Sequence, residues 1–251
     1  MNSLSALLSK IWSLGLEAYA FDQLQATRRV RRWALNSDKF NRLYAERRSG
    51  VKVIDLGCGS PAHRAPVRDT VGVEHYWGID LDIQNKPDLV SDVARLPFPS
   101  NSLDLVRAFS LFEHTYNYRE ILTDIYRSLR PGGCLFIQTP FLLEFHGYPS
   151  DYFRYTHIAW RRILEDTGFG VIDDEQWGKG FFINLAKMLE NGSFSFIGAR
   201  WYGLRFTLRA LSRIAWRMQR YDKHYRGSLY ASVLILGEKP GAEEAPPEPA
   251  P

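Results

Sequence analysis

The run VIDLGCG at residues 53–59 constrains the fold of this chain more than any other stretch. Its apolar residues predict a short buried strand. The two glycines behind them allow a tight turn in which no Cβ keeps a ligand away from the backbone. Asp55 precedes the turn and lies at the carboxyl end of the strand, where open α/β sheets bind ligands. Its carboxylate favours a ligand with a cationic or hydrogen-bond-donating group.

The same turn is compatible with two kinds of nucleotide site. Gly57-x-Gly59-x-x-Ala62 fits the dinucleotide fingerprint, in which the start of a helix meets a pyrophosphate. A site for S-adenosylmethionine (SAM) needs the same turn but has no pyrophosphate to bind. Pro61 and Pro66 leave room only for a short or broken helix, which favours the second kind of site. A glycine turn that binds nothing is the third possibility.

Two further strands are predicted to end in acidic residues. One runs through residues 76–79 to Asp80, with Asp82 close behind, and the next covers residues 89–93 with Asp92 near its end. A carboxylate at a strand tip can accept hydrogen bonds from both hydroxyls of a ribose, and we choose Asp80 for this role. Asp92, beside apolar neighbours, is placed to accept a hydrogen bond from an exocyclic amine of a purine.

Strands and helices alternate through the rest of the chain. We predict strands at 102–109, 134–139, 169–176 and 230–236, and helices at 117–129 and 156–167. This alternation indicates an α/β fold with a mostly parallel sheet and helices on both faces, and 251 residues suit one such domain with additions.

Five sequence signals stand in a fixed order along the chain. They are VIDLGCG at 53–59, GID at 78–80, SDV followed by LPF at 91–98, the stretch from 105 to FEH at 112–114, and LRPGG at 129–133. In this order the chain resembles the class I SAM-dependent methyltransferases, most of all those related to the menaquinone and ubiquinone methyltransferases. The run at 146–156 resembles a segment that bacterial members carry before the sixth strand. The resemblance implies a Rossmann-like sheet of seven strands, the last antiparallel beside the sixth, with SAM as the cofactor.

The resemblance also implies which residues hold SAM. They are Asp55, Gly57, Gly59, Asp80, Asp92, Val93, Phe109 and Ser110. Asp55 and the two glycines would hold the methionine end of SAM, and Asp80 would bind the ribose hydroxyls. Asp92 and Val93 would contact the adenine. The backbone of Phe109 and Ser110 would line the sulfonium side. The chain departs from the family at Pro61, where relatives often have a third glycine. We expect this proline to narrow the site or reshape its loop.

The acceptor side is predicted from the chemistry of methyl transfer. The leaving group of a sulfonium is already activated, so the protein mostly has to position the nucleophile, and we expect no metal to be required. For a hydroxyl acceptor a general base helps, and His114 is the first candidate. His146, Asp151 and Tyr155 form a second set, on a loop expected to close over the acceptor. The alternatives are structural: His114 in a helix cap, and Asp151 and Tyr155 with Arg154 in a hydrogen-bonded knot.

Basic charge is concentrated outside the predicted sheet. The net charge is only +4, but arginines crowd residues 1–48, a predicted helical N-terminal extension, and the stretch 200–226. We assign residues 49–239 to the methyltransferase domain and 240–251, rich in proline and glutamate, to a disordered tail. The local excess of arginine predicts anionic partners at two places.

A helical insertion is predicted at about 179–226, ahead of the last strand. Apolar residues fall on one face of it: Ile197, Trp201, Leu204, Leu208, Leu211 and Ala215. Arginines lie elsewhere around the helix, so 197–220 is compatible with packing over the acceptor pocket, with an anionic membrane surface or with nucleic acid. The modest net charge and the lack of a recognisable RNA-binding module disfavour nucleic acid.

The two cysteines, Cys58 and Cys134, give neither a disulfide framework nor a metal-ligand pattern, which favours a reducing compartment. No apolar run reaches the roughly 18 residues of a membrane span, and residues 1–16 lack the basic start of a signal peptide. We therefore predict a cytoplasmic enzyme, with peripheral attachment to the inner face of the membrane through 197–220 as one of the options left open for that helix. It would transfer a methyl group to a small-molecule, glycan-precursor or lipid-linked acceptor. The alternative is a methyltransferase-like scaffold that binds SAM or nothing.

Overall fold

The computed structural model describes residues 51–61, 75–147, 149–195, 202–224 and 229–241. The predicted N-terminal extension, residues 1–48, and nearly all of the predicted tail lie outside these ranges. The predictions for those two segments therefore stay predictions.

Seven strands form one sheet. They are Lys52–Leu56 (β1), His75–Asp80 (β2), Leu89–Val90 (β3), Leu103–Phe109 (β4), Leu129–Pro140 (β5), Gly170–Trp177 (β6) and Ser232–Glu238 (β7). The order across the sheet is β3-β2-β1-β4-β5-β7-β6. The first five strands pair in parallel, whereas β7 runs antiparallel to both β5 and β6. The predicted Rossmann-like sheet, with its last strand antiparallel, is confirmed.

Helices flank this sheet. They are Tyr118–Ser128 (α1), His157–Thr167 (α2), Phe181–Ser195 (α3) and Tyr202–Met218 (α4), with short 3-10 turns at Ile83–Asn85, Phe112–His114 and Gln219–His224. The main core joins α1 and α2 to one face of the sheet, for example Ile125 and Trp160 to Ile54. Because side chains alternate along a strand, Val53 packs with Tyr76 in a separate cluster on the opposite face.

The ends of α2 follow the predicted chemistry. The Thr156 hydroxyl accepts a hydrogen bond from the Ala159 amide at 3.1 Å, which satisfies one of the unpaired donors in the first turn. Gly168 closes the helix in the left-handed conformation, with φ of 99°, which a residue without Cβ adopts at little cost. These two residues fix where the chain turns back toward β6.

Strand β5 begins earlier than the sequence indicates. The prediction placed its start at 134, after a proline and two glycines that stop the preceding helix. In the structure α1 ends at Ser128 and the strand begins at once, because buried Leu129 pairs with Leu103. An irregularity in register between Leu103 and Leu105 accommodates the glycine stretch, in which Gly132 has φ of 75°.

The predicted insertion contains α3 and α4, which pack against each other. The Asp222 carboxylate caps α3 by accepting hydrogen bonds from the amides of Phe182 and Ile183 at 3.1 and 2.9 Å. Of the apolar stripe predicted for α4, Ala215 is buried but Leu211 is 45% exposed. Among the described residues, no helix is both long enough and apolar enough to span a membrane.

Candidate functional site

The glycine turn is fastened to the end of β2. Gly57 and Gly59 have φ of 65° and 62°, in the left-handed region that glycine adopts readily. The Cys58 amide donates a hydrogen bond to the Ile79 carbonyl at 3.1 Å, and the Gly59 amide donates to the Asp80 carboxylate at 2.9 Å. A Cβ added at Gly57 would lie 3.1 Å from Leu111 Cδ1. The turn therefore presents bare backbone beside the segment that follows β4.

Asp55 is fully buried beneath this turn and is held by its neighbours in the sheet. Both of its oxygens lie 2.6 Å from Arg107 Nη1, and the Tyr76 hydroxyl donates a hydrogen bond to it at 2.5 Å. Burial and the Asp55 carboxylate raise the pKa of Tyr76 above its ordinary value, so the hydroxyl stays a donor. The charge of Asp55 is thus balanced inside the protein. One signal of this pair is visible in the sequence, an arginine in the mostly apolar strand β4.

Asp80 and Asp92, at the ends of the next two strands, accept hydrogen bonds from backbone amides but have no ion-pair partner among the described residues. One Asp80 oxygen accepts from Gly59 and the other from the Asp82 amide at 2.9 Å, and the side chain is half-buried. Asp92 is exposed and accepts one hydrogen bond, from the Ala94 amide at 2.9 Å. A carboxylate has about four lone-pair positions, so both acids can accept further hydrogen bonds from a ligand.

The chain turns sharply as it leaves β4. Ser110 has φ of 48°, a conformation that costs a residue with a Cβ about 1–2 kcal/mol. Its amide donates a hydrogen bond to the Gln138 carbonyl at 2.9 Å, and its hydroxyl lies 3.2 Å from Gln138 Oε1. These bonds to β5 hold the turn, which directs the next residue, Leu111, toward Gly57.

Three side chains beyond this turn form what we call the Glu–His cluster, namely Glu113, His114 and His146. Glu113 is fully buried, and neither of its oxygens accepts a hydrogen bond from any residue that the structure describes. Its Oε1 lies 3.8 Å from His114 Nε2 and 3.9 Å from His146 Nε2. One nitrogen or oxygen from each residue lies within 4.8 Å of the others. The loop between β5 and α2 thus brings His146 to the end of β4.

The Nδ1 atoms of both histidines face acceptors outside the cluster. His114 Nδ1 lies 2.6 Å from the Ser150 carbonyl oxygen, and His146 Nδ1 lies 3.0 Å from that of Glu144. Because a carbonyl oxygen can only accept, the hydrogen of each neutral ring is assigned to Nδ1. For His146 the 3.0 Å contact to the carbonyl outweighs a longer one, of 3.5 Å, from Nδ1 to the donor Arg154 Nη2. Each Nε2 then carries the lone pair of its ring and lies within 4 Å of Glu113 Oε1.

Burial raises the pKa of Glu113 to about 8. Burial is the dominant cause; Glu113's own backbone amide, too poorly placed for a hydrogen bond of normal geometry, and the nearby Arg154 guanidinium oppose this shift in pKa, and the Asp151 carboxylate adds to it. Glu113 was not among the predicted catalytic residues. The available signal was an acidic residue inside an apolar run, directly after a strand of the sheet.

Asp151 and Arg154 hold the loop that carries His146. The Arg154 guanidinium donates hydrogen bonds to both Asp151 oxygens, one of them at 2.7 Å, and to the Glu144 carbonyl at 3.1 Å. Asp151 also accepts from the His146 amide at 3.0 Å, and these contacts hold its pKa well below the usual range. The predicted knot therefore exists between Asp151 and Arg154.

Tyr155 lies apart from the other predicted catalytic residues. It is 5% exposed, and its ring centroid lies 4.4 Å from that of Trp160 in the core. Its hydroxyl lies 3.4 Å from the Phe112 carbonyl oxygen, and burial raises its pKa. The structure thus brings together His114, His146 and Asp151 but places Tyr155 among packed aromatic rings.

A family of methyltransferase domains matches residues 25–174, which is more than half of the chain. The chain belongs to this family, the class I SAM-dependent methyltransferases. The demethylmenaquinone methyltransferase of Listeria welshimeri is 23% identical over 169 residues, covering 59% of this chain and 72% of that protein. That of Anoxybacillus flavithermus is 26% identical over 141 residues, covering 49% and 59%.

A solved structure shows the same fold. Phosphoethanolamine N-methyltransferase 2 of Haemonchus contortus, in complex with SAM, superposes with a TM-score of 0.50 and 18% identity. The superposition covers 82% of this chain and 53% of that one. At this identity the likeness concerns the fold alone.

SAM is the cofactor of this methyltransferase by family membership. The residues present fit it. The turn at Gly57 and Gly59 leaves backbone uncovered, and the carboxylates of Asp80 and Asp92 follow adjacent strands at the same edge of the sheet. When bound, SAM would supply a methyl group on a positively charged sulfonium, and the neutral thioether S-adenosylhomocysteine would be the leaving group.

Proposed function

We propose that this methyltransferase methylates an oxygen of a small or lipid-linked acceptor that lies beside the Glu–His cluster. The observation that carries the proposal is the position of Leu111. Its side chain reaches the cofactor turn at Gly57, and the 3-10 turn Phe112–His114 follows it directly in the chain. Groups that act on the acceptor therefore lie next to the predicted methionine end of SAM.

On the cofactor side we assign the methionine end to the backbone at Gly57 and Gly59 and the ribose hydroxyls to Asp80. The adenine is assigned to Asp92 with Val93. Asp55 supports the methionine end from below, since its carboxylate is engaged by its neighbours in the sheet. The backbone at Phe109 and Ser110 is assigned to the sulfonium side, and the hydrogen bonds of Ser110 to β5 support this placement.

On the acceptor side His114 Nε2 is the candidate to take the proton of an acceptor hydroxyl. Its lone pair is available because Nδ1 carries the hydrogen, as the contact to the Ser150 carbonyl indicates. His146 lies beside it, with ring centroids 4.9 Å apart, and Asp151 positions His146. The contacts of Tyr155 suit packing better than chemistry.

Exposed aromatic side chains on the same two segments favour an acceptor with an apolar part. Tyr116 is 73% exposed, Phe145 78% and Tyr152 50%. The Tyr152 amide donates a hydrogen bond to the Glu113 carbonyl at 2.7 Å, and the Tyr152 ring contacts that of Tyr116, with centroids 5.5 Å apart, so these two rings lie near the cluster. Such surfaces mark ligand-binding grooves. They support a lipid-linked glycan precursor, and a quinone-like ring as the second choice.

Two measurements test this function. Calorimetric titration should show binding of SAM and S-adenosylhomocysteine but not of NADH. If neither SAM nor S-adenosylhomocysteine binds, the result would favour the alternative, a non-catalytic methyltransferase-like scaffold protein. Transfer of labelled methyl from SAM would then be measured on polyprenyl-linked sugars, nucleotide sugars and demethylated quinones. With the acceptor found, His114→Ala should lower turnover about 100-fold or more at unchanged affinity for S-adenosylhomocysteine. An unchanged rate would remove His114 as the base.

We also propose that α4 contacts an anionic membrane surface. Arg213 and Arg217 are exposed on it, together with Leu211 and Ile214, which are 45% and 53% exposed. A helix with basic and apolar side chains directed outward binds anionic lipid surfaces. Sedimentation with vesicles containing phosphatidylglycerol should bring the protein down at low salt, and Arg213→Glu with Arg217→Glu should leave it in solution. No sedimentation of the unaltered protein would contradict this contact.

A further inference from the structure

We propose that Glu113, His114 and His146 bind a divalent transition-metal ion with an open coordination position for an oxygen of the methyl acceptor. The role of the ion in catalysis rests on the function proposed above. Its binding does not, because the three donors belong to this chain.

The donor set is that of a catalytic metal site. Two imidazole nitrogens and one carboxylate oxygen lie within 4.8 Å of one another. Three protein ligands of these types, with a position left for water or substrate, are found in catalytic zinc sites and in non-haem iron enzymes. Bonds of about 2.0–2.2 Å would place the donor atoms roughly 3.0–3.5 Å apart. The observed 3.8 and 3.9 Å would then shorten by about half an ångström, and the two histidine nitrogens, which lie within 4.8 Å of each other, would approach by up to about 1.5 Å, so metal binding requires rotation of the side chains.

Both histidines are oriented as metal ligands are. A histidine that binds a metal through Nε2 usually donates its Nδ1 hydrogen to a carbonyl or carboxylate, which fixes the tautomer and the ring. His114 Nδ1 faces the Ser150 carbonyl at 2.6 Å. His146 Nδ1 faces the Glu144 carbonyl at 3.0 Å and the Asp151 carboxylate at 3.3 Å. A general base would need one such ring, whereas here two are directed at the same carboxyl group.

The environment of Glu113 supplies an independent reason. A buried carboxyl group is ordinarily hydrogen-bonded or paired with a charge. Glu113 accepts no hydrogen bond within the described part of the chain, and both Nε2 atoms lie within 4 Å of its Oε1. Arg154 is close enough to act on it, but that guanidinium is already hydrogen-bonded to Asp151. A cation between Glu113 and the imidazoles would satisfy all three donors at once.

The position of the site indicates what the ion would do. It follows the Ser110 turn, next to the residue that reaches Gly57, and so lies on the acceptor side of the cofactor. A bound ion lowers the pKa of a coordinated hydroxyl and orients it. With the ion bound, His114 Nε2 would be a ligand and the ion would activate the acceptor, so His114 would serve as the base only in metal-free protein. This favours acceptors with a hydroxyl, a carboxylate or two neighbouring oxygens. The sequence did not indicate the site, since helix α1, strand β5 and a loop separate His114 from His146.

The test uses the full chain without a histidine tag, treated with a chelator and then titrated separately with Zn²⁺, Mn²⁺ and Co²⁺. We expect one ion per chain by elemental analysis, and a visible absorption band from bound Co²⁺. His146→Gln should weaken binding about 100-fold or more, and Glu113→Gln should do the same while preserving side-chain shape. His75→Gln is the matched control, because His75 is exposed and stacks on Trp77 at the start of β2.

The outcomes of this test bear separately on the metal site and on its role in methyl transfer. Failure of the unaltered protein to bind any of the three ions stoichiometrically would overturn the proposal, as would tight binding retained in His146→Gln. Titration with S-adenosylhomocysteine on the same samples separates the site from the enzyme. Metal binding without nucleotide binding would support the metal site and contradict the proposed function. Faster methyl transfer in the metal-loaded protein would support the catalytic role, and an equal rate in the metal-free protein would overturn it.

Discussion

The two sides of the site are built by different means. On the cofactor side each carboxylate already has a partner: Asp55 has Arg107 and Tyr76, and Asp80 has the Gly59 and Asp82 amides. On the acceptor side Glu113 is just as buried as Asp55, yet it accepts no hydrogen bond from the described residues. The cofactor side is therefore complete before a ligand arrives, whereas the acceptor side has a polar group that a ligand must satisfy.

This difference follows from where the partners lie along the chain. The cofactor side is made of backbone amides and strand neighbours, which the register of the sheet fixes. The acceptor side depends on the loop between β5 and α2, held by the Asp151–Arg154 pair. A side assembled from a loop can adapt to a substrate, while one assembled from the sheet binds the same nucleotide in every turnover.

The largest expected loss of stability follows from breaking the Asp55–Arg107 ion pair beneath the glycine turn. Asp55→Ala leaves the Arg107 guanidinium, with its side chain only 14% exposed, without its carboxylate. Breaking a buried pair in this way should lower the free energy of unfolding by about 3–5 kcal/mol in urea titrations. Asp92→Ala, at an exposed acid, is the control and should stay within about 1 kcal/mol. A loss under about 1 kcal/mol in Asp55→Ala would show that the cofactor side is not held by this pair.

The next effect concerns the bare backbone of the turn. Gly57→Ala places a Cβ at φ of 65° and 3.1 Å from Leu111. The backbone strain alone is about 1–2 kcal/mol, so affinity for S-adenosylhomocysteine should fall about 10-fold or more by calorimetry. Adding Leu111→Ala should recover only part of the loss, since the φ remains. Gly241→Ala, where a Cβ meets nothing within 4 Å, should bind normally. Equal affinity in Gly57→Ala would place the nucleotide elsewhere.

On the acceptor side we expect a substitution that raises the free energy of unfolding by a smaller amount. Glu113→Gln removes a buried ionisable group that has no hydrogen-bonded partner among the described residues. In metal-free protein at pH 7 it should raise the free energy of unfolding by about 1 kcal/mol or more, because folding forces the Glu113 carboxyl, with its raised pKa, to take up a proton and the amide has none to take up. Asp80→Asn, at a carboxylate that already accepts two amides, should lower it. If both variants lose stability alike, the contrast between the two sides does not hold.

The smallest effect separates chemistry from packing at Tyr155. Tyr155→Phe keeps the ring against Trp160 and removes only a hydroxyl with a long contact of 3.4 Å. We expect a change in unfolding free energy of about 0.5 kcal/mol and an unaltered rate of methyl transfer. A large loss in the rate of methyl transfer at normal stability would show that the Tyr155 hydroxyl takes part in the reaction.

The same contrast explains what the sequence could predict. The cofactor turn is contiguous, so its glycines and the acids after β2 and β3 are visible as local patterns of strands and turns. Strand β5 was predicted to begin late because the pairing of Leu129 with Leu103 overrides the local signal of a proline and two glycines. Glu113 was not predicted as a functional residue because it is recognised as one only by its proximity to His146, which lies on another loop. The Nδ1 contacts are to backbone carbonyls, which residue types do not reveal.

The position of β7 has a consequence for how the protein is made. It is the last strand of the sheet in the chain, yet it lies between β5 and β6 and pairs with both. During synthesis β5 and β6 therefore leave the ribosome before the strand that joins them. Until β7 follows, each has an unpaired edge that can recruit strands of neighbouring chains. A nascent chain stalled before residue 232 would keep those edges exposed, so chaperones should matter most in the interval between the emergence of β6 and that of β7.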